Sequence, residues 1–265
     1  MTQPVPTAEF SSLVYGSAGV ALDDPAEVFH EASRLYPDVA PGHLLALFEL
    51  AHSPELQQTV ARSSRTHPQR PGVDLPQADI GRMPLEAALT QRRSGAAAEP
   101  GVLSAEHLAA LLAAAYRSIG GLRPAPSGGA LYPLELYVVV LAVESLEAAS
   151  YHYDPFRHRL ERIGPGVRAE VGAALVDPAL AENASALVVI TAMFWRSRFK
   201  YGLRGYRFAL LEAGHVVQNI ALAATALRIP ALPLGGFYDR RVDGVVGADG
   251  LDEATVYAVL LGGRT

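Results

Sequence analysis

The chain has 265 residues, a formal net charge of −5 and no cysteine. That length allows one large domain or one domain with a smaller attachment, and the acidic balance, without a basic run beyond pairs such as Arg92 and Arg93, argues against nucleic acid as a partner. The missing thiols exclude disulfides, iron–sulfur ligation, thiolate zinc sites and a cysteine nucleophile, so any redox chemistry has to come from a bound cofactor.

Half of the residues are hydrophobic and only 18% are charged, a balance expected where a large subunit interface is buried. The first ten residues have no basic stretch followed by an apolar one, so no signal peptide is expected. The most apolar long stretch, 208–227, contains Glu212, His215, Gln218 and Asn219, which hydrocarbon would penalise. The expectation is a cytoplasmic protein without a membrane partner.

In chain order, 25–35 reads as a helix with Asp24 as its cap and a proline in the first turn, and 41–51 repeats apolar residues at helical spacing. Residues 63–84 carry Pro68, Pro71, Pro76 and Pro84 with Gly72 and Gly81 and read as an extended linker. A short helix at 85–91 runs into Arg92-Arg93-Ser94, and a second starts at Ser104, whose hydroxyl is placed to cap it, and continues to about Arg117. Near-continuous apolar runs at 136–142, 187–193 and 255–261 predict strands of a sheet covered on both faces. Residues 151–162 predict a hairpin turning at Asp154-Pro155, 167–176 a helix, and 206–228 a long helix apolar almost all round, hence buried and a candidate for subunit contact. Strands interleaved with helices make the chain α+β or α/β.

Four segments carry candidate chemistry. In Gly121-Leu-Arg-Pro-Ala-Pro-Ser-Gly-Gly-Ala-Leu-Tyr-Pro133, Pro126 restrains the backbone while Gly128 and Gly129 permit positive φ, so main-chain N–H groups can be aimed at a flat ligand. The same composition also fits a tight turn entering a strand. Arg92, Arg93 and Ser94 offer the donors a phosphate monoester needs, and Arg264 is a further candidate; an arginine pair at a helix end also fits a solvated face. Lys200-Tyr201 follows a strand; a lysine beside a phenol favours phenolate, burial favours the neutral amine, and the pair can supply a base if it faces a cleft. Glu212, His215 and Asn219 share one face of the long helix with Gln218 beside them, as a core network or a cofactor contact. No histidine pair has metal-ligand spacing.

Taken in order, these segments resemble the SagB-type dehydrogenases of the flavin nitroreductase superfamily. The resemblance covers about 85–262 and is carried by Arg92-Arg93-Ser94, Pro126-Ser-Gly-Gly-Ala-Leu-Tyr-Pro133-Leu-Glu-Leu-Tyr137, Tyr151-His-Tyr-Asp154, Lys200-Tyr201, Gly214-His215-Val-Val-Gln218-Asn219 and Gly235-Gly236-Phe237. It implies a nitroreductase-like α+β fold, a three-layer α-β-α sandwich around a central mixed sheet, interlocked into a homodimer. It further implies FMN, with the phosphate on Arg92 and Ser94, to which the donor chemistry above adds Arg93 and Arg264 as candidates, the ring on Pro126, Ser127, Gly128 and Gly129, and further contacts from Gln218, Gly235 and Gly236. Lys200 and Tyr201 are then the catalytic pair of azoline oxidation, in which one ring carbon loses a proton and its neighbour gives hydride to the flavin, which molecular oxygen reoxidises. The family's frequent arginine two residues after the serine is replaced here by Gly95-Ala96.

On this reading 81–265 is the FMN-binding domain and 1–80 a helical segment and linker that would dock substrate or partner. The implied activity is dehydrogenation of thiazolines or oxazolines on a peptide or carrier-bound intermediate, within a biosynthetic complex. Two alternatives stay open: a nitro- or quinone reductase fed by NAD(P)H, and a flavin-binding scaffold without turnover.

Overall fold

The computed structural model describes residues 24–37, 52, 53, 55, 59 and 64–263. In chain order these form α1 (Pro25–Ala32), β1 (Gly72–Asp74), α2 (Leu85–Gln91), α3 (Ala105–Tyr116), β2 (Leu134–Val140), β3 (Ala149–Asp154), β4 (Arg159–Pro165), α4 (Arg168–Ala174), β5 (Ala184–Ala192), α5 (Trp195–Tyr201), α6 (Arg204–Leu227), β6 (Ala231–Leu234), α7 (Asp239–Val246) and β7 (Ala254–Gly262). The helical pattern at 41–51 lies outside the described residues.

The strands join in the order β1-β4-β3-β2-β5-β7-β6. Every pairing between them is antiparallel, so the sheet is antiparallel where a mixed one was expected. The β2–β3 and β3–β4 pairs follow from short connections, since an antiparallel neighbour needs only a turn and a parallel one needs a crossover; the β1–β4, β2–β5, β5–β7 and β6–β7 pairs join strands with other elements between them. The β3–β4 turn is built as expected at Asp154-Pro155: Asp154 Oδ1 accepts from Phe156 N at 2.9 Å and Arg157 N at 3.0 Å.

β2 and β5 are buried along their whole length because helices cover both faces. Leu134, Leu136 and Val138 of β2 join Leu108, Leu111 and Leu112 of α3 and Ala213, Val216 and Ile220 of α6 in one core. The alternate residues Tyr137 and Val139 turn to the other face and meet Val171 of α4 and Val242 and Val246 of α7. Strand alternation thus produces three layers from one apolar run.

Two elements depart from the sequence reading. The stretch read as linker contributes β1, whose Val73 pairs with Leu160 at the sheet edge. The carboxylates of Glu135 and Glu161 bind the approach to it, accepting from Arg65 N at 2.8 Å and His67 N at 2.7 Å. Long-range pairing of this kind leaves no local periodicity to read. The long helix, expected to be buried all round, exposes the stripe Leu210, Leu211, Gly214, His215 and Gln218 on the side away from α3 and the sheet. It is long and apolar enough to cross a membrane by length and composition, but packs here as a core helix with 44% of its most apolar window buried.

Candidate functional site

Lys200 and Tyr201 end α5, a helix the sequence reading left as a segment beyond a strand. Gly202 stops it with φ +55°, its N–H donating to Arg198 O at 2.7 Å. A second glycine lets the chain fold straight back into α6: a β-carbon at Gly205 would lie 2.6 Å from the Ser197 backbone. Arg196, buried at the start of α5, donates to Glu135 Oε1 at 2.5 Å and ties the helix to β2. Burial opposes ionisation of Glu135, but the His152 hydrogen bond, the Arg196 charge and the Arg65 N–H together hold its carboxyl down at about 2.

The glycine loop meets this pair directly. A β-carbon placed on Gly129 would sit 2.5 Å from the Tyr201 hydroxyl and 2.8 Å from Lys200 Nζ, and one on Gly128 would sit 3.0 Å from the Phe208 ring. Both polar ends therefore converge on the one surface where the loop has no side chain. Lys200 Nζ stands 5.1 Å from the Tyr201 ring centre, and Phe208 meets the Tyr201 ring edge to face at 4.9 Å. Backbone strain is concentrated here: Gly129, Ala130 and Tyr132 have φ of +65°, +54° and +46°, a cost of the kind kept at ligand sites. Ser127 Oγ accepts from Tyr132 N at 2.9 Å, and Tyr132 OH accepts from Arg123 N at 3.2 Å, closing the loop.

The remaining candidates are placed as follows. Arg92 Nη1 donates to Ser94 Oγ at 3.1 Å, and Gly95 N donates to Ala231 O at 3.1 Å, which hangs this turn on the start of β6. Arg93 is exposed and donates to the carbonyls of Thr90 and Arg92. Gly235 and Gly236 leave the other end of β6, where Gly236 O accepts from Val176 N. Gln218 is exposed on α6. Arg264 lies outside the described residues. The polar set of α6 divides: Glu212 turns inward, His215 outward, and Asn219 sits between. The side-chain-free surface of Gly128 and Gly129 beside an amine and a phenol fits a planar group, and the guanidinium and hydroxyl of Arg92 and Ser94 are donors of the kind a phosphate takes. Among the described residues no group of three or more His, Asp or Glu is arranged to hold a metal ion.

Sequence reasoning missed Phe208, the Tyr116 partner of Glu212 and the docking of α1. Arg207 Nη2 donates to His30 O at 2.6 Å and Arg204 Nη1 to Ser33 O at 3.2 Å, while Phe29 meets Tyr206 edge to face at 5.3 Å. Each joins residues far apart in the chain, so no spacing signalled it. A cavity of about 340 Å³ opens on the α4 and α7 side of the sheet, lined in part by Arg65, His67, Arg70 and Tyr137. It holds none of the sequence candidates, and its Arg65 is already paired with Glu253; the strained loop and the Lys200-Tyr201 pair are the better site on chemical grounds.

The comparisons agree with this fold. The nitroreductase MJ1384 of Methanocaldococcus jannaschii is 38% identical over 176 residues, 64% of this chain and 86% of that protein. The microcin B17-processing protein McbC of Escherichia coli is 32% identical over 145 residues, 52% of each chain, so this chain aligns with about half of that relative. A chain of the E. coli microcin synthetase McbBCD complex with truncated pro-MccB17 shares the fold with a TM-score of 0.60 at 24% identity, over 89% of this chain and 86% of that one. The nitroreductase family model matches residues 89–263, which span the sheet from β2 to β7, the strained loop and the Lys200-Tyr201 turn, and the chain belongs to that family.

Proposed function

We propose that this chain is an FMN-dependent dehydrogenase that oxidises a thiazoline or oxazoline ring, on a peptide or carrier-bound intermediate, to the aromatic azole. The observation that carries the reading is the convergence of Lys200 Nζ and the Tyr201 hydroxyl on Gly129. Arg92 and Ser94 are the phosphate donors, with Arg93 between them in the chain and Arg264 a further donor from the other end of the domain. Pro126, Ser127, Gly128 and Gly129 form the bed for the ring system, and Gln218, Gly235 and Gly236 complete its surroundings. FMN, when bound, supplies the acceptor for the hydride that leaves one carbon of the azoline. Lys200 and Tyr201 are the pair that takes the proton from the neighbouring carbon, one of them as the base, and Phe208 holds the Tyr201 ring in place.

McbC is a microcin-processing protein, which supports a peptide substrate and a biosynthetic complex. The apolar residues Leu85 and Leu89 of α2 and Leu210 and Leu211 of α6 are exposed by 67%, 52%, 43% and 61%, a concentration that supports a homodimer across these helices. The segment 1–80 would serve docking, with α1 held beside the site by Arg204 and Arg207. A second reading is a nitro- or quinone reductase fed by NAD(P)H, and the similarity to MJ1384, which is named for nitroreductase activity, favours its nitroreductase part.

Anaerobic mixing of the flavin-loaded protein with a thiazoline-bearing peptide separates them. The expected result is bleaching of the flavin with loss of two hydrogen atoms from the peptide, and a fall of about 10²–10⁴-fold in that rate for Lys200→Ala. Bleaching by NADPH but not by the azoline would assign the reductase instead.

A further inference from the structure

The Glu212 carboxyl is only 1% exposed. It lies at the back of the strained loop, on the helix that supports it. One oxygen accepts from Tyr116 OH of α3 at 2.5 Å; the other, Oε2, is buried and makes no well-formed hydrogen bond. The groups that act on it are Tyr116 from α3, Ser127 from the loop and Arg123 from the turn between them. Arg123 is itself buried, with its guanidinium 4.2 Å from the Tyr116 ring centre and 4.7 Å from that of Tyr132. None of its side-chain nitrogens is hydrogen-bonded, so the charge is held by aromatic faces and not by a direct ion pair with the carboxylate.

Burial dominates the balance. It opposes the charged form strongly enough to outweigh the Ser127 and Tyr116 hydroxyls and the Arg123 charge, and it carries the Glu212 carboxyl up to about 7. The neutral acid can donate a proton to the loop serine beside it, whereas ionised Glu212 can only accept from that hydroxyl and puts a negative charge behind the loop that has to cradle a phosphate-bearing ligand. A purely structural carboxyl would be expected to close its ion pair with Arg123; here both groups are buried and the pair is left open.

We propose that Glu212, through its buried carboxyl held between Tyr116 and the loop serine, is a positioning residue that sets the loop of Ser127, Gly128 and Gly129 for its planar cofactor. The proposal rests on the flavin reading above. It makes cofactor affinity depend on pH through a residue that touches neither substrate nor cofactor.

The test is the affinity of the full-length protein for FMN, read by quenching of flavin fluorescence between pH 5.5 and pH 9, for the wild type, Glu212→Gln and Tyr116→Phe. Above pH 7 the free wild-type protein has to regain a proton to bind, so its Kd is expected to rise by about tenfold per pH unit. Glu212→Gln, an uncharged isostere, should bind without that rise; the titration of the FMN phosphate is common to both proteins and cancels in their ratio. Tyr116→Phe removes a donor that favours the ionised form and should move the midpoint to higher pH, whereas loss of mere packing would change affinity at every pH and leave the midpoint in place. Identical profiles for wild type and Glu212→Gln, or an unmoved midpoint in Tyr116→Phe, would overturn the role of Glu212 and leave FMN binding standing. Absence of FMN binding by the wild type at every pH would overturn the flavin reading itself, and the proposal with it.

Discussion

Gly129 is where conformation and chemistry meet in one residue. Its φ of +65° is one that a side chain resists, and its missing β-carbon leaves room for two functional groups. Gly129→Ala is expected to cost about 1 kcal/mol of stability, which for a chain of this size lowers Tm by only about 2–4 °C. Its new methyl has to displace Lys200 Nζ or the Tyr201 hydroxyl, and a misplacement of that size costs about 100-fold in turnover. A thermal melt beside a rate measurement separates the two effects. A loss of turnover no larger than the loss of stability predicts would show that the convergence is incidental.

At the scale of elements, the pair is only as well placed as α5. This helix has seven residues, too few to hold together in water by its own hydrogen bonds; the Arg196 to Glu135 bond and the close crossing at Gly205 hold it. Arg196→Met keeps much of the side-chain volume but leaves Glu135 without its buried cation, and is expected to destabilise the fold by about 3–5 kcal/mol. Urea unfolding monitored by the single tryptophan, Trp195 at the start of the same helix, reads this directly. The α1 helix has the same dependence on tertiary support. Asp24 caps it as the sequence predicts, accepting from Ala26 N at 2.8 Å, but Phe29, Arg204 and Arg207 decide where it lies.

For the whole molecule, two predictions follow from burial. The exposed apolar stripe of α6 would be the heart of a homodimer, so introducing Leu210→Glu and Leu211→Glu together is expected to give monomers in light scattering without loss of helix by circular dichroism. Persistence of dimers would move the interface elsewhere. The second concerns acid. Glu135 ionises at about 2 in the folded chain, against 4.5 for an unperturbed carboxyl. The unfolded state therefore binds its proton first as pH falls, and the stability contributed by the ion pair is present above about pH 4.5 and lost between there and pH 2. Acid unfolding midpoints should show Glu135→Gln to be less stable than wild type at neutral pH, with the difference shrinking across that window. A constant difference would mean that packing and not charge is what Glu135 contributes.

What the sequence determined by itself was everything carried by local pattern. The apolar runs of β2, β5 and β7, the hairpin at Asp154-Pro155, the caps at Asp24 and Ser104 and the long α6 are each set by side-chain periodicity or by a hydrogen bond within a few residues. The absence of cysteine and the order of Arg92-Ser94, Pro126-Gly129 and Lys200-Tyr201 made the family legible before any coordinate. What only the tertiary structure decided was which of these segments meet. The antiparallel pairing of β2 with β5 and of β5 with β7, β1 within a proline-rich stretch, the inward turn of Glu212 onto Tyr116 and the closure of Lys200 and Tyr201 over Gly129 all join residues far apart in the chain. Spacing along a chain is blind to them, because the burial and hydrogen bonding that select such contacts exist only once the layers have packed.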